Sequence, residues 1–86
     1  MIKQFCVDVL KFLESEYNDS YRFTIELSEQ MHSCTAELKI KSGGFTRIIA
    51  SSYLNYFYEL YKHNEFIEER KQYRWQKELI DLIEGS

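Results

Sequence analysis

The stretch that organises the rest of the chain is Ser51-Ser52-Tyr53-Leu54-Asn55-Tyr56-Phe57-Tyr58-Glu59-Leu60-Tyr61. At about 100° per residue, its aromatic and aliphatic side chains cover an arc of roughly 200° on a helix, twice the width of an ordinary amphipathic stripe. Ser51 or Ser52 can cap this helix by accepting hydrogen bonds from its first amides. A helix this apolar must be covered on two sides, by its own chain or by a partner.

Residues 2 to 17 are predicted to form a first helix. Apolar residues recur there at three- and four-residue spacings, with charged residues on the opposite side. The run Asn18-Asp19-Ser20 ends the helix, because these short polar side chains bond to nearby backbone and favour turns.

Two strands are predicted next, over residues 21 to 27 and 34 to 40, because apolar and polar side chains alternate there. Residues 28 to 33 are polar and are predicted to be the connecting loop. The two strands therefore form an antiparallel hairpin.

The register of this hairpin stays open at the level of sequence. One choice sets Leu27 opposite Cys34, which leaves Arg22 opposite Lys39, an unfavourable like-charge pair. A shift by two residues sets Arg22 opposite Glu37 instead.

The glycine pair Gly43-Gly44 marks a tight turn into a short third strand over residues 45 to 50. After Tyr61 the apolar phase is lost, although no proline or glycine interrupts residues 53 to 84. One helix or two can therefore cover residues 52 to 84, and we place a break near residues 62–65. A third helix is predicted from about Glu65, closed by Gly85.

The fold class is therefore α+β, in the order α-β-β-β-α-α, with a three-stranded antiparallel sheet covered on one face by helices. Eighty-six residues make a single domain, residues 1–86. Seven tyrosines, six phenylalanines and one tryptophan supply large side chains for its core.

The net charge of −3 is too small for a mimic of nucleic acid and has the wrong sign for general phosphate binding. The chain has no apolar run of signal-peptide or membrane-span length, so we expect a cytoplasmic protein without membrane contact. Cys6 and Cys34 fall on apolar faces and are expected to be buried thiols.

The sequence contains no spacing that catalysis or metal binding requires. Cys6, His32, Cys34 and His63 do not form a four-ligand pattern for zinc. No glycine-rich phosphate loop is present, and the paired acids suit solvated helix faces. We therefore predict a protein that is not an enzyme and needs no cofactor or metal.

The order helix, three antiparallel strands, helix over residues 1 to about 62 resembles the double-stranded-RNA-binding domain, with Met31-His32 in the first hairpin loop. That family places lysines at the start of the second helix, whereas residues 51–55 here contain no cation, so no RNA-binding residue is carried over.

Nucleic-acid binding is the alternative function. Residues Arg70, Arg74 and Lys77 would share one stripe of the predicted third helix and could follow a phosphate backbone. Arg22, Lys39 and Arg47, predicted on the exposed side of the sheet, would add to this patch. Because acidic residues flank the run, ion pairing on a solvated helix face is favoured over this alternative.

The favoured function is a non-enzymatic protein-binding module. Aromatic residues are enriched at protein interfaces, and the tyrosines outnumber those that one small core can bury with every hydroxyl bonded. Tyr53 and Phe57 are expected in the core. The edges of the arc, Tyr56 and Tyr58, belong to the core if the third helix covers them through Trp75 and Leu79; otherwise they are candidates for binding another protein or a second copy, as a homodimer. The candidate partner-binding residues are Tyr56, Tyr58, Tyr61, Tyr73 and Trp75.

A small domain without a catalytic constellation or a targeting signal is typical of regulators or inhibitors of larger protein machines. Phage and mobile-element proteins that block host defence enzymes, such as the anti-CRISPR proteins, are one candidate class. No motif in the sequence specifies that class.

Overall fold

Helix α1 spans Ile2–Tyr17, as its apolar spacing predicts. The computed structural model describes residues 2–18, 20–30 and 33–85. α1 stops before Asn18, whose φ of 53° lies in the left-handed region that asparagine tolerates better than most residues. Asp19, part of the predicted stop, lies outside the described residues. The buried side of α1 consists of Phe5, Cys6, Val9 and Leu13.

Strands β1, Arg22–Gln30, and β2, Ser33–Ser42, form the predicted hairpin but extend further than the sequence indicated. Residues 28–30 and 33 belong to the strands, so the predicted loop over residues 28 to 33 is wrong. The polar residues Ser28 and Glu29 are exposed, and an exposed strand end needs no apolar side chains to pair through its backbone. Met31 and His32 lie outside the described residues.

The register differs from both registers considered for this hairpin. Arg22 lies opposite Lys41 and Phe23 opposite Ile40, because Gln30 and Ser33 face each other across a connection of only two residues. The apolar positions still meet on one face. Lys39 donates to Glu26 across a diagonal of the outer face at 2.8 Å, which partly offsets the repulsion between Glu26 and Glu37, directly opposite each other in this register.

Strand β3, Phe45–Ile49, pairs antiparallel with β2 and gives the sheet order β1-β2-β3. The predicted glycine turn is present, with Gly43 at φ 59°. Because this turn sets Ser42 opposite Phe45, the odd-numbered residues of β3 share the helix-covered face with Ile40. Arg47 was predicted on the exposed side of the sheet, and that placement is wrong.

Helix α2 spans Ser51–His63 and contains the aromatic stretch. Its N-cap is Ala50 and no side chain caps it, so the predicted serine cap is wrong. The helix ends where a break was predicted. Asn64 adopts φ 54° and donates its backbone N–H to the carbonyls of Leu60 and Tyr61, which ends the helix in a left-handed cap.

The chain after Asn64 differs from the predicted third helix. Strands β4, Phe66–Ile67, and β5, Gln72–Tyr73, form a small hairpin before helix α3 begins at Arg74. The rings of Phe66 and Tyr73 meet edge to face at 5.2 Å, and the Arg74 N–H donates to the Glu65 carbonyl at 2.8 Å. These contacts stabilise residues 65–73 as a hairpin instead of the first turns of the predicted third helix.

Helix α3, Arg74–Glu84, completes a layer of three helices on one face of the sheet, so the predicted α+β architecture is confirmed. Gly85 closes α3, but at φ −83° it is not the left-handed residue expected there. Among the described residues, no helix is both long and apolar enough to cross a lipid bilayer. The core unites all three helices with the sheet through Phe5, Cys6, Val9, Leu13, Phe23, Ala36, Leu38, Ile40, Ile49, Leu54, Phe57, Trp75, Leu79 and Ile83.

A candidate protein-binding groove beside the aromatic helix

The C-terminal half of α2 is closed by α1. Tyr61 donates its hydroxyl to Asp8 Oδ2 at 2.6 Å, and the ring of Phe5 lies 5.3 Å from Tyr58 and 5.1 Å from Tyr61. The hydrogen bond to Asp8, and secondarily burial, raises the pKa of Tyr61 above its ordinary value. Tyr58 stacks on Tyr61 with the ammonium of Lys62 4.9 Å from its ring. Both predicted interface tyrosines are therefore partly built into the fold.

Trp75 was predicted to bind a partner, but the structure places it in the core at 5% exposure. Its ring meets those of Phe12 at 5.5 Å, Tyr61 at 5.7 Å and Phe5 at 6.0 Å. Because α3 starts at Arg74, its first turn carries Trp75 directly onto α1. Trp75 therefore offers a partner almost no surface in this structure.

Tyr73 is half-buried. Together with Tyr61 and Trp75 it lines a cleft between α1, the end of α2 and β5. The cleft has a volume of about 710 Å³. Most of its other lining residues are polar, including Asp8, Lys11 and further groups on α2 and α3. Tyr61, Tyr73 and Trp75 therefore form part of the walls of a mainly polar cleft.

The N-terminal half of α2 is open on the side that carries Tyr53 and Tyr56, although Leu54 and Phe57 of the same half are buried. Tyr53 and Tyr56, one turn apart, are 52% and 48% exposed. They border a groove of about 530 Å³ between α2 and α3, which Phe57 and Leu82 also line. Tyr56, an edge of the arc for which the sequence left core and surface both open, is exposed. Tyr53 was expected in the core, and that expectation is wrong: it lies beside Tyr56 on the groove side of α2, while Leu54 and Phe57 form the buried side.

The other groove residues are polar or acidic, and none of the described lining residues is a cation. Glu78 and Asp81 of α3 lie on one side and Ser52 on the other. Lys77 pairs with Asp81 at 2.7 Å and Arg74 with Glu78 at 3.6 Å. These cations lie next to the groove without lining it. The groove thus combines aromatic surface with carboxylates at its rim.

The cations proposed for nucleic-acid binding do not form the predicted stripe. Arg70 lies in the turn between β4 and β5, outside α3, whereas Arg74 and Lys77 are held in ion pairs on α3. Lys39 is bonded to Glu26, and Arg22 lies opposite Lys41 at the far end of the sheet.

Arg47 has a structural contact of its own. Its guanidinium donates to the carbonyls of Ile83 at 2.9 Å and Leu82 at 3.0 Å, in the last turn of α3, where carbonyls otherwise lack intrahelical partners. The interaction joins α3 to β3. It uses the donors that a phosphate would require.

Metal binding finds no constellation either, since no group of three or more His, Cys, Asp or Glu residues within the described chain could hold an ion. His32, one of the four candidate ligands in the sequence, lies outside the described residues. Comparison with known proteins finds no matching family model, curated protein or solved structure. The likeness to the double-stranded-RNA-binding domain therefore remains one of element order.

Sequence reasoning missed Tyr53 and the acidic rim. The helical pattern predicts which aromatic side chains lie on the apolar side of α2, but it does not predict which part of that side another helix covers. The signal that was present is the charge pattern of α3: Glu78 and Asp81 are three residues apart and thus share one side of the helix. An acidic side of α3 next to an aromatic helix favours an exposed groove over a closed core.

Proposed function

We propose that this chain is a small non-enzymatic binding module that receives an apolar side chain of a partner protein in the groove between α2 and α3. The observation that carries the proposal is the pair Tyr53 and Tyr56, exposed one turn apart beside Phe57 and Leu82. Exposed aromatic residues beside an apolar pocket are the composition found at the energetic centres of protein interfaces.

The energetics favour these two tyrosines as anchors. A tyrosine ring buries a large area but has only two rotatable bonds, so ordering it on binding costs little entropy. Tyr56 is already packed edge to face on Phe57 at 5.5 Å, which further limits its motion. A partner that covers both rings gains apolar burial, while the hydroxyls can stay at the wet rim.

The charges at the rim specify the partner further. Glu78 and Asp81 line the groove in partly exposed ion pairs with Arg74 and Lys77. Because such surface pairs are weak, a partner segment that carries Lys or Arg beside its apolar side chain can replace these cations. A nucleic acid would bring phosphates towards these carboxylates. The groove is therefore better suited to a basic, apolar protein segment.

The finer proposal is that the partner is a larger cytoplasmic protein that this chain regulates or inhibits, in the manner of phage and mobile-element proteins that block host defence enzymes. Its support is the aromatic groove between α2 and α3. It rests on general character and adds no residue to the site.

The test is affinity capture from nuclease-treated cells of the native host, with immobilised wild-type protein, the groove variant Tyr53→Ser/Tyr56→Ser, and the control Val7→Ser. Val7 is a similarly exposed residue on α1, so the control removes apolar surface elsewhere. We expect a protein that wild type and Val7→Ser retain and that the groove variant loses.

The affinity of the captured protein then gives a magnitude. Loss of two anchor tyrosines should weaken binding by a factor of about 30 or more, which corresponds to about 2 kcal/mol. Retention of the same proteins by the groove variant and by wild type, or binding abolished by nuclease, would overturn the proposal.

A further inference from the structure

The edge of β3 that faces away from β2 is open. Among the described residues, no backbone hydrogen bond beyond the β2–β3 ladder reaches Thr46 or Ile48. In a two-residue hairpin, the residues that flank the turn exchange both hydrogen bonds. Because Ser42 and Phe45 flank this turn, the backbone groups of Thr46 and Ile48 point outward, away from the sheet.

Apolar side chains are exposed on both faces of this same strand. Phe45, on the helix-covered face but beyond the helices, is 84% exposed, and Ile48, on the outer face, is 53% exposed. A helix or a flat surface docked on one face could cover only one of them. An added strand covers both, because its side chains alternate between the two faces while its backbone pairs with Thr46 and Ile48.

The opposite edge of the sheet, β1, carries the charges that usually keep a sheet edge from pairing. Glu26 and Glu29 are exposed on β1, and Glu29 pairs with Lys3 of α1 at 3.7 Å. β3 carries one charged residue, Arg47, whose guanidinium is held by the end of α3. The two sheet edges therefore differ in protection. β1 carries exposed charged side chains, whereas the one charged side chain of β3 is held by α3.

We propose that β3 pairs antiparallel with β3 of a second copy of this chain, joining two three-stranded sheets into one of six strands. A twofold axis makes the interface self-complementary, since each copy supplies the same outward backbone groups and the same uncharged side chains. This surface is separate from the groove of Tyr53 and Tyr56, so the two proposals stand independently.

The register follows from charge. Pairing centred on Arg47 would set the two guanidinium-bearing residues directly opposite each other, which is unfavourable. The adjacent registers, centred on Thr46 or on Ile48, avoid this contact and keep outward backbone groups facing each other. A cysteine at the central position would lie opposite its own copy.

The strand has only five residues, so the contact belongs to the small interfaces that form weak or transient complexes. We therefore expect the dimer to appear with rising protein concentration. The monomer mass is 10.4 kDa, and light scattering coupled to size exclusion should show a weight-average mass rising towards twice that value.

Two variants block the edge by different means. Ile48→Lys places a charge on the exposed strand, and Thr46→Pro removes an outward N–H that β2 does not use. Both should remain monomeric at every concentration with wild-type circular dichroism. The control Leu27→Lys places the same charge on the β1 edge, and it and the groove variant Tyr53→Ser/Tyr56→Ser should dimerise like wild type.

A wild-type protein that stays monomeric up to about 1 mM would overturn the proposal. So would a dimer that survives both β3 variants, or that Leu27→Lys or the groove variant dissociates. Under mild oxidation, Thr46→Cys or Ile48→Cys should form a covalent dimer well above the wild-type background. Absence of cross-linking at both positions in a dimeric sample would also contradict β3 pairing.

Discussion

The two halves of α2 both carry tyrosines, but these tyrosines have different roles. At the C-terminal half, Tyr61 bonds to Asp8 and packs on Phe5, so its polar and apolar parts both have partners. At the N-terminal half, Tyr53 and Tyr56 are about half exposed beside a groove. The difference teaches that a tyrosine joins a small core where a neighbouring helix offers both a ring to pack on and an acceptor for its hydroxyl.

The same rule operates at the other end of α1. Tyr17 packs against Tyr21 and Phe23, and its hydroxyl donates to Glu84 of α3 at 2.7 Å. Burial, followed by this hydrogen bond, raises the pKa of Tyr17 well above its ordinary value. Two tyrosine–carboxylate bonds thus connect α1 to α2 and to α3. The groove beside Tyr53 and Tyr56 has no described bond of this kind.

The largest expected effect comes from removing the ring on which the closed half rests. Phe5→Ala should lower the free energy of unfolding by about 3–5 kcal/mol, because Phe5 is fully buried against Tyr58, Tyr61 and Trp75. Val7→Ala, on the exposed side of the same helix, should change it by less than about 0.5 kcal/mol. Urea denaturation measures both, and similar losses would show that the closed half is not packed as described.

A smaller effect isolates the polar contact of the closed half. Tyr61→Phe keeps the ring but removes the hydroxyl bonded to Asp8, and should cost about 1 kcal/mol of unfolding free energy. Tyr53→Phe removes a hydroxyl from the open half and should cost nearly nothing. If the two variants lost equal stability in urea, the contrast between the halves would fail.

The pH dependence of stability should show the same contrast at smaller amplitude. The pKa of Tyr61 is raised in the folded state, so its stabilising contribution is complete below the unfolded pKa of about 10 and is lost as the pH rises through the higher folded value. Wild-type unfolding free energy should therefore fall more steeply than that of Tyr61→Phe above about pH 10. Parallel curves from pH 8 to 11 would contradict this assignment.

Much of the fold was predictable from the sequence because periodicity reports which side of an element is covered. The spacing of Phe5, Val9 and Leu13 identified α1, and the loss of apolar phase after Tyr61 located the end of α2. Gly43-Gly44 gave the β2–β3 turn. These signals are local, and the tertiary structure agrees with them.

The errors arose where contacts distant in sequence decide. The β4–β5 hairpin has no glycine or proline, and its turn uses Lys71 at φ 53°, a position where a left-handed residue is not expected. The hairpin is held by Phe66 against Tyr73, a pair separated by charged residues that favour a helix. Its formation moved the start of α3 to Arg74 and buried Trp75.

The candidate site was predictable only in part. Tyr56 was proposed as a partner-binding residue at an edge of the arc with its exposure left open, whereas Tyr53 was expected in the core; both are about half exposed beside one groove. The contribution of Glu78 and Asp81 depends on how the two helices pack. Helix periodicity gives the angle of a side chain about its axis, but the packing of α3 against α2 decides which part of the arc is left open.

The central claim is that the fold requires Tyr58 and Tyr61 of α2, whereas Tyr53 and Tyr56 are left for a partner. Its most direct test is the urea unfolding of two matched double variants, Tyr58→Ala/Tyr61→Ala and Tyr53→Ala/Tyr56→Ala. We predict that the first loses more than about 3 kcal/mol of unfolding free energy and the second less than about 1 kcal/mol. Equal losses, or a larger loss for Tyr53→Ala/Tyr56→Ala, would contradict the account.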